Sequence, residues 1–344
     1  MQDIGIDLGT SSTIIYVSGN DIILKEPSVV AINLKDECIL SVGEDAYKMI
    51  GKTPGKIKAM FPLESGVISD YKAAQAMVKY FVQKISKTSS IKPRIALCVP
   101  SGITNVEARA VVDAAAYAGA RKVFLIEEPV AAAIGAGIDI TKPRGNMIID
   151  IGGGTTDYAV ISLSGIAVKS SIRVAGNAID KAIIKFVRDN YAILIGEKMA
   201  GEIKKQIGSC FFDKETEDLE FELKGRNLLT GLPNKKIIKR SDIYPTIYDV
   251  VSQIIEQIPA VMSKTPPELS SDIFENGIVL TGGGALLHGL DKLINQKTGT
   301  KCIVAAEPEN CVAVGTGRAF DYLGKLVDGF VNPSMCEHWF FICS

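Results

Sequence analysis

The stretch that most constrains this chain is Asn146 to Gly165, NMIIDIGGGTTDYAVISLSG. Two apolar, β-branched runs, Met147–Ile151 and Tyr158–Leu163, flank Gly152-Gly153-Gly154-Thr155-Thr156-Asp157, so the pattern predicts strand, tight turn, strand. Three consecutive glycines are costly to order. They provide backbone that comes close to a ligand with its N–H groups exposed, which suits an anion such as a nucleotide's phosphates. Asp150 ends the first strand and points into that turn. A carboxylate beside phosphates implies a divalent cation between them, and Mg²⁺ is the expectation. Taken alone, the segment is equally an ordinary Gly-rich hairpin.

A second copy shifts that balance. The chain opens with Ile4-Gly5-Ile6-Asp7-Leu8-Gly9-Thr10-Ser11-Ser12-Thr13 and then the apolar Ile14-Ile15-Tyr16-Val17. Two hairpins of one design, one at the start and one near the middle, read as an internal duplication. Each brings one Asp and one phosphate-facing turn to a shared cleft.

Composition narrows the class. The 344 residues allow about two domains, and 47% hydrophobic with 22% charged residues describes a folded globular chain. A net charge of −1 argues against bulk electrostatic binding to nucleic acid, so no nucleic-acid partner is expected. Cys38, Cys98, Cys210, Cys302, Cys311, Cys336 and Cys343 form no CxxC and no paired ladder, so free thiols in a reducing cytoplasm are expected. With only His288 and His338, neither a His-rich metal site nor a Ser-His-Asp triad is expected. No apolar run reaches the roughly 18 residues of a membrane span, and no signal peptide is expected before the first strand. No GxxxxGK[ST] occurs, and Gly135-Ala136-Gly137 and Gly315-Thr316-Gly317 are fragments without a full dinucleotide fingerprint.

Along the chain, strands are predicted at Asp21–Leu24, Ser28–Ile32, Arg94–Val99, Val123–Ile126 and Ala167–Val174. Helices are predicted over Asp70–Lys87, after the capping box Thr104-Asn105-Val106-Glu107 up to Gly119, and over Asn177–Asn190, Glu197–Gly208, Ile243–Lys264 (limited or kinked by Pro245 and Pro259) and Val312–Leu326. Residues 33–66 and 211–242 read as insertions. Glu127-Glu128-Pro129 follows a strand, where open α/β sheets place ligands. Glu127 reads best as a solvated charge at a helix start, and Glu128 stays open between that role and chemistry. Gly277 to Leu287 predicts a strand running through Gly282-Gly283-Gly284-Ala285 directly into a helix whose amides face a ribose, base or phosphate. The tail, Met335-Cys336-Glu337-His338-Trp339-Phe340-Phe341-Ile342, is an aromatic cluster for docking on its own domain, a membrane or a partner.

The set GIDLGTSST (5–13), EPSVVAI (26–32), VPSGIT (99–104), LIEEPVAAAIGAG (125–137), IDIGGGTTD (149–157), SIRVAG (171–176), LLTGLP (228–233), TPPEL (265–269) and GIVLTGGGALLHGLD (277–291) resembles the actin, sugar-kinase and heat-shock-chaperone ATPase superfamily, and within it the MreB family of bacterial actins. The resemblance implies an α/β actin-like ATPase fold: two duplicated lobes around a nucleotide cleft, each with a small appended subdomain. On that plan, lobe I is 1–32, 67–144 and 318–330 with subdomain 33–66. Lobe II is 145–181 and 246–317 with subdomain 182–245, and 331–344 is a tail. It further implies ATP, with GTP as the alternative, together with Mg²⁺, slow hydrolysis, and antiparallel double protofilaments that support cell shape in the cytoplasm at the inner membrane face, with membrane-bound shape or cell-wall proteins as partners.

Residue by residue, the resemblance assigns Gly9, Thr10, Ser11, Ser12 and Thr13 with Gly152, Gly153, Gly154 and Thr155 to the phosphates. Asp7 and Asp150 hold the water shell of Mg²⁺. Glu128, helped by Thr155, orients or deprotonates the attacking water. Glu202, Lys205 and Gly282, Gly283, Gly284 and Ala285 contact the nucleoside. Departures from the family pattern are Asp157 where Glu is usual, which bears on hydrolysis, Gly201 in the nucleoside helix, and Asn177-Ala178 in place of an acidic pair. The chain shows no amphipathic helix before residue 4, and its Ser86–Lys92 loop offers only Ile91 as a bulky apolar residue.

Overall fold

Each of the two hairpins seeds a sheet of the same design. In this computed structural model residues 3–86, 92–213, 216–323, 326 and 330–331 are described; most of the Ser86–Lys92 loop and the aromatic tail lie outside them. The first sheet is built from β1 (Asp3–Leu8), β2 (Ser12–Val17), β3 (Asp21–Pro27), β4 (Arg94–Val99) and β5 (Lys122–Glu127). The second is built from β6 (Asn146–Ile151), β7 (Thr156–Ser162), β8 (Gly165–Ile172), β9 (Ile278–Thr281) and β10 (Cys302–Val304). Strand order is β3-β2-β1-β4-β5 in one and β8-β7-β6-β9-β10 in the other. In both, an antiparallel meander is followed by two parallel strands. Phe330–Val331 adds an antiparallel edge to β5.

The apolar runs explain why these strands are central. Ile4, Ile6, Met147, Ile148, Ile149 and Ile151 are all sealed from solvent, as expected of strands covered on both faces. Small antiparallel sheets stand apart from the two large ones. One comprises Val30–Asn33, Ile39–Val42 and Ile57–Met60, the other Ile193–Leu194, Glu220–Asn227 and Pro233–Lys239.

The principal helices are α1 (Tyr71–Ser86), α2 (Asn105–Tyr117), α3 (Glu128–Gly135), α4 (Gly176–Tyr191), α5 (Glu197–Ile207), α6 (Arg240–Ile255), α7 (Leu290–Thr298) and α8 (Cys311–Arg318). The predicted capping box is present: Glu107 N–H donates to Thr104 Oγ1, and Thr104 N–H donates to Glu107 Oε2 at 2.8 Å. Gly119, at φ +103°, follows the end of α2. Pro245 sits within α6 without ending it, and the predicted long helix divides at Glu256, with Gln257–Met262 continuing as a separate short helix.

One expectation is corrected. The strand β9 does not run directly into a helix: Gly283–Leu286 forms one 3₁₀ turn, and α7 begins at Leu290. Its helix N-terminus is therefore not at the Gly-rich loop. The Gly135 and Gly315 fragments are packing residues. A Cβ on Gly135 would lie 1.8 Å from the Cys311 carbonyl oxygen, and one on Gly315 would lie 1.7 Å from that of Ala131. They let α3 and α8 touch backbone to backbone. Around α3 lies a third core cluster, with Ile126 from the first sheet and Ile148, Ala159 and Ile161 from the second, so one apolar seam joins the sheets.

Candidate functional site

The two glycine turns abut each other. A Cβ on Gly153 would lie 2.0 Å from Ser11 Oγ, and one on Gly154 would lie 2.6 Å from Thr10 Oγ1. Only glycine allows this approach. Gly152 differs: a Cβ there would meet only the Thr155 carbonyl oxygen, at 3.4 Å, so its small size is not demanded by packing. The N–H groups of Thr10, Ser11, Gly153 and Gly154 donate to no acceptor among the described residues. Unpaired amides gathered from two turns are what an anion needs.

The second turn is held from behind by α4. Gly176 N–H donates to the Gly152 carbonyl at 3.1 Å, and Asn177 N–H to that of Gly153 at 2.8 Å. The side chain of Asn177 also accepts from Ser11 Oγ at 3.2 Å, which ties the two turns together. Lys204 on α5 donates to the Gly176 carbonyl and to Asp180, both at 2.9 Å. Neither Lys204 nor this bridging role of Asn177 is visible in the sequence motifs.

Four carboxylates converge beneath the turns: Asp7 at the end of β1, Glu128 at the start of α3, Asp150 on β6 and Asp157 on β7. Burial pushes Asp7 up to about 6, against a hydrogen bond from Cys98 that lowers it. Burial likewise pushes Asp150 up to about 7, with Asp157 and Asp7 adding like charge and a Thr281 hydrogen bond opposing. Burial raises Asp157 to about 6, opposed first by the Ser101 N–H, which donates to its Oδ1 at 2.9 Å. Asp157 Oδ2 is sealed from solvent with no partner of hydrogen-bonding geometry, although Ser171, Thr155 and Glu128 lie close. Glu128 is raised well above the ordinary carboxylate range, by burial and then by the charges of Asp157, Asp150 and Asp7. Glu128 and Asp157 titrate as a pair, each raised first by burial.

Asp150 and Asp157 are buried and Asp7 and Glu128 half-buried, and negative charge so concentrated calls for a cation. No three His, Cys, Asp or Glu side chains among the described residues are placed to bind a metal directly. Carboxylate oxygens are the donors a hard divalent cation takes, directly or through water. Glu127, expected to be solvated, is instead buried, and its Oε1 accepts from Lys169 Nζ at 2.7 Å. The cause is its place on β5, facing β8 of the other sheet, which a local reading of a helix start does not see.

Thr155 is buried, and a Cβ on Gly66 would lie 2.9 Å from its methyl carbon. Thr13 is fully buried and its hydroxyl shares a hydrogen bond with Ser28 at 2.9 Å, so it supports the first turn. Ser12 begins β2, and Gly9 accepts at its carbonyl from Ser28 Oγ at 2.6 Å. Gly282 and Gly284 are required by packing on Ile151, since Cβ atoms there would come within 2.4 Å and 2.3 Å of it. A Cβ on Gly283 would make only ordinary contact with Glu309, at 3.8 Å, and Ala285 is buried. The Gly282–Ala285 turn thus lies against the end of the strand that carries Asp150. Glu202 and Lys205 lie on α5; no hydrogen bond or ion pair joins either to that turn among the described residues.

The family model for MreB/Mbl protein matches residues 1–328. The chain is 45% identical over 326 residues to the cell shape-determining protein Mbl of Bacillus cereus, covering 94% of this chain and 97% of that one. It is 46% identical over 328 residues to the cell shape-determining protein MreB of Escherichia coli K12, covering 94% of each. Crystal structures of MreB5 of Spiroplasma citri bound to ADP and to AMPPNP each match with a TM-score of 0.88 and 39% identity, over 94% of this chain and 97% of theirs. With a family model spanning nearly its whole length and relatives at this identity, the chain belongs to the MreB/Mbl family of actin-like proteins.

Proposed function

We propose that this chain is a cytoskeletal filament subunit that takes Mg-ATP into the cleft between its two sheets, hydrolyses it slowly and assembles with copies of itself to support cell shape. The observation that carries the reading is the pair of abutting turns, with unpaired amides above four converging carboxylates. Its relatives are named for determining cell shape, and MreB5 of Spiroplasma citri has been crystallised with ADP and with AMPPNP. In this reading the lobe and subdomain boundaries are those expected from the sequence, and the filaments lie at the inner face of the membrane.

Gly9 to Ser12 and Gly152 to Thr155 receive the phosphates in this reading, while Thr13, expected among them, supports the first turn through Ser28, and Glu202, Lys205 and Gly282 to Ala285 receive the nucleoside. Asp7 and Asp150 hold Mg²⁺ through water, and the ion when bound neutralises phosphate charge. Glu128 lies where it orients a water and accepts its proton, with Thr155 and Asp157 beside it. Positioning and charge neutralisation carry most of phosphoryl transfer. Burial and the neighbouring carboxylates raise Glu128, and a cation bound beside it opposes that shift. A subunit with little hydrolysis is the alternative.

The test is phosphate release and sedimentation with Mg-ATP, for the wild type and Glu128→Ala. Pelletable polymer from both, with phosphate release reduced about 10²-fold or more in the variant, is expected from loss of a general base. Equal rates remove Glu128 from this role. No polymer from the wild type at micromolar concentration counts against the filament reading.

A further inference from the structure

The two lobes share more than their turns. Asp7 follows Ile6, which is in register with Leu97 on the neighbouring parallel strand β4, so the residue beside Asp7 is Cys98. Asp150 is in register with Thr281 on the neighbouring parallel strand β9. These are equivalent positions of the two sheets, one strand over from each metal-facing carboxylate. Both bear a small side chain with one proton to donate. Cys98 Sγ donates to Asp7 Oδ1 at 3.2 Å, and Thr281 Oγ1 donates to Asp150 Oδ1 at 2.7 Å. The second oxygen, Oδ2, of each carboxylate takes no hydrogen bond from a described residue. Both donors are buried, Thr281 completely.

We propose that Cys98 and Thr281 are a duplicated pair of positioning residues, each clamping one oxygen of its neighbouring aspartate so that the other oxygen is held ready for the hydrated divalent cation. This rests on the assignment of Asp7 and Asp150 to that cation. A carboxylate with one oxygen fixed loses less rotational freedom when the ion arrives, and outer-shell partners of this kind set metal affinity. The two arms are unequal. A hydroxyl is a strong donor and a thiol a weak one, so the Asp150 arm is the firmer and the Asp7 arm the looser.

The experiment is Mg²⁺ titration of fluorescent ATP-analogue binding, beside the same binding in EDTA, with thermal melting as the check of folding. Thr281→Val keeps shape and removes the donor; Thr281→Ser keeps the donor. Thr281→Val is expected to raise the Mg²⁺ concentration for half-saturation about tenfold, the low end for loss of an outer-shell partner, and to leave binding in EDTA unchanged. Thr281→Ser restores the wild-type value. Cys98→Ala gives a smaller rise, and Cys98→Ser gives none or a tighter response. Folded Thr281→Val and Cys98→Ala proteins with wild-type Mg²⁺ dependence overturn the proposal if Asp7→Asn and Asp150→Asn still lose it. If the two Asn variants also keep wild-type Mg²⁺ dependence, the metal assignment itself fails, and this inference with it.

Discussion

A carboxylate reports on what surrounds it, and three here report the same thing. Burial lifts Asp7 and Asp157 to about 6 and Asp150 to about 7, from an ordinary value of 3.8. Each therefore binds its proton more tightly folded than unfolded, so stability falls as pH rises wherever the folded chain holds more protons. For these three aspartates that window runs from about pH 4 to about pH 7. The nucleotide-free protein is expected to show a higher urea midpoint at pH 6 than at pH 8, with a smaller difference in Asp150→Asn. A midpoint that is flat or rises with pH across that interval contradicts the charge cluster. The carboxylates themselves were legible in the sequence because each lies in or beside a glycine turn. Their donors were not. Cys98 is 91 residues from Asp7, Thr281 is 131 from Asp150, and the Ser101 amide is 56 from Asp157. Only strand register brings them together, and no local spacing encodes it.

At the scale of elements, the hairpins, the α2 capping box and the Arg94–Val99 strand were readable because their signals are local: alternation, turn glycines and a Thr-to-Glu spacing. The helix after β9 was misplaced because glycines at a strand end serve a close crossing as readily as a helix start. Helix glycines likewise divide by what they touch. Gly315 in α8 has the Ala131 carbonyl oxygen where its Cβ would be. Gly201 in α5 has nothing within 4 Å. One substitution should therefore act with opposite signs. Gly315→Ala must part α3 and α8 and is expected to cost about 3 kcal/mol, the upper end of ordinary overpacking. Gly201→Ala relieves the entropy of a glycine inside a helix and is expected to add about 0.5–1 kcal/mol. Urea unfolding of both proteins checks this, and equal shifts of one sign contradict the packing argument.

Across the whole molecule, the lobes are joined by an apolar seam and by polar links of unequal worth. Lys25 with Glu309, Arg173 with Glu107 and Lys181 with Glu64 are exposed on at least one side, and such pairs contribute little. Glu127 with Lys169 is different. The Glu127 side chain is only 6% exposed, its Oε1 is met by Lys169, and its Oε2 has no partner among the described residues. The lysine end is 42% exposed, so the pair itself gains little; what matters is the charge stranded when the lysine is removed. Lys169→Met is expected to destabilise by about 1–3 kcal/mol, the desolvation cost of an unsatisfied buried group. Glu127→Gln placed on Lys169→Met should recover part of that loss, because it removes the uncompensated charge while keeping the side chain's shape. Since Glu127 immediately precedes Glu128 and links β5 to β8, Lys169→Met should also slow phosphate release, whereas removing the exposed Lys181 should not. A double-mutant cycle over residues 127 and 169, read by urea unfolding, measures the coupling. Strict additivity of the two single changes would show that the lobes are held at this point by the apolar seam alone.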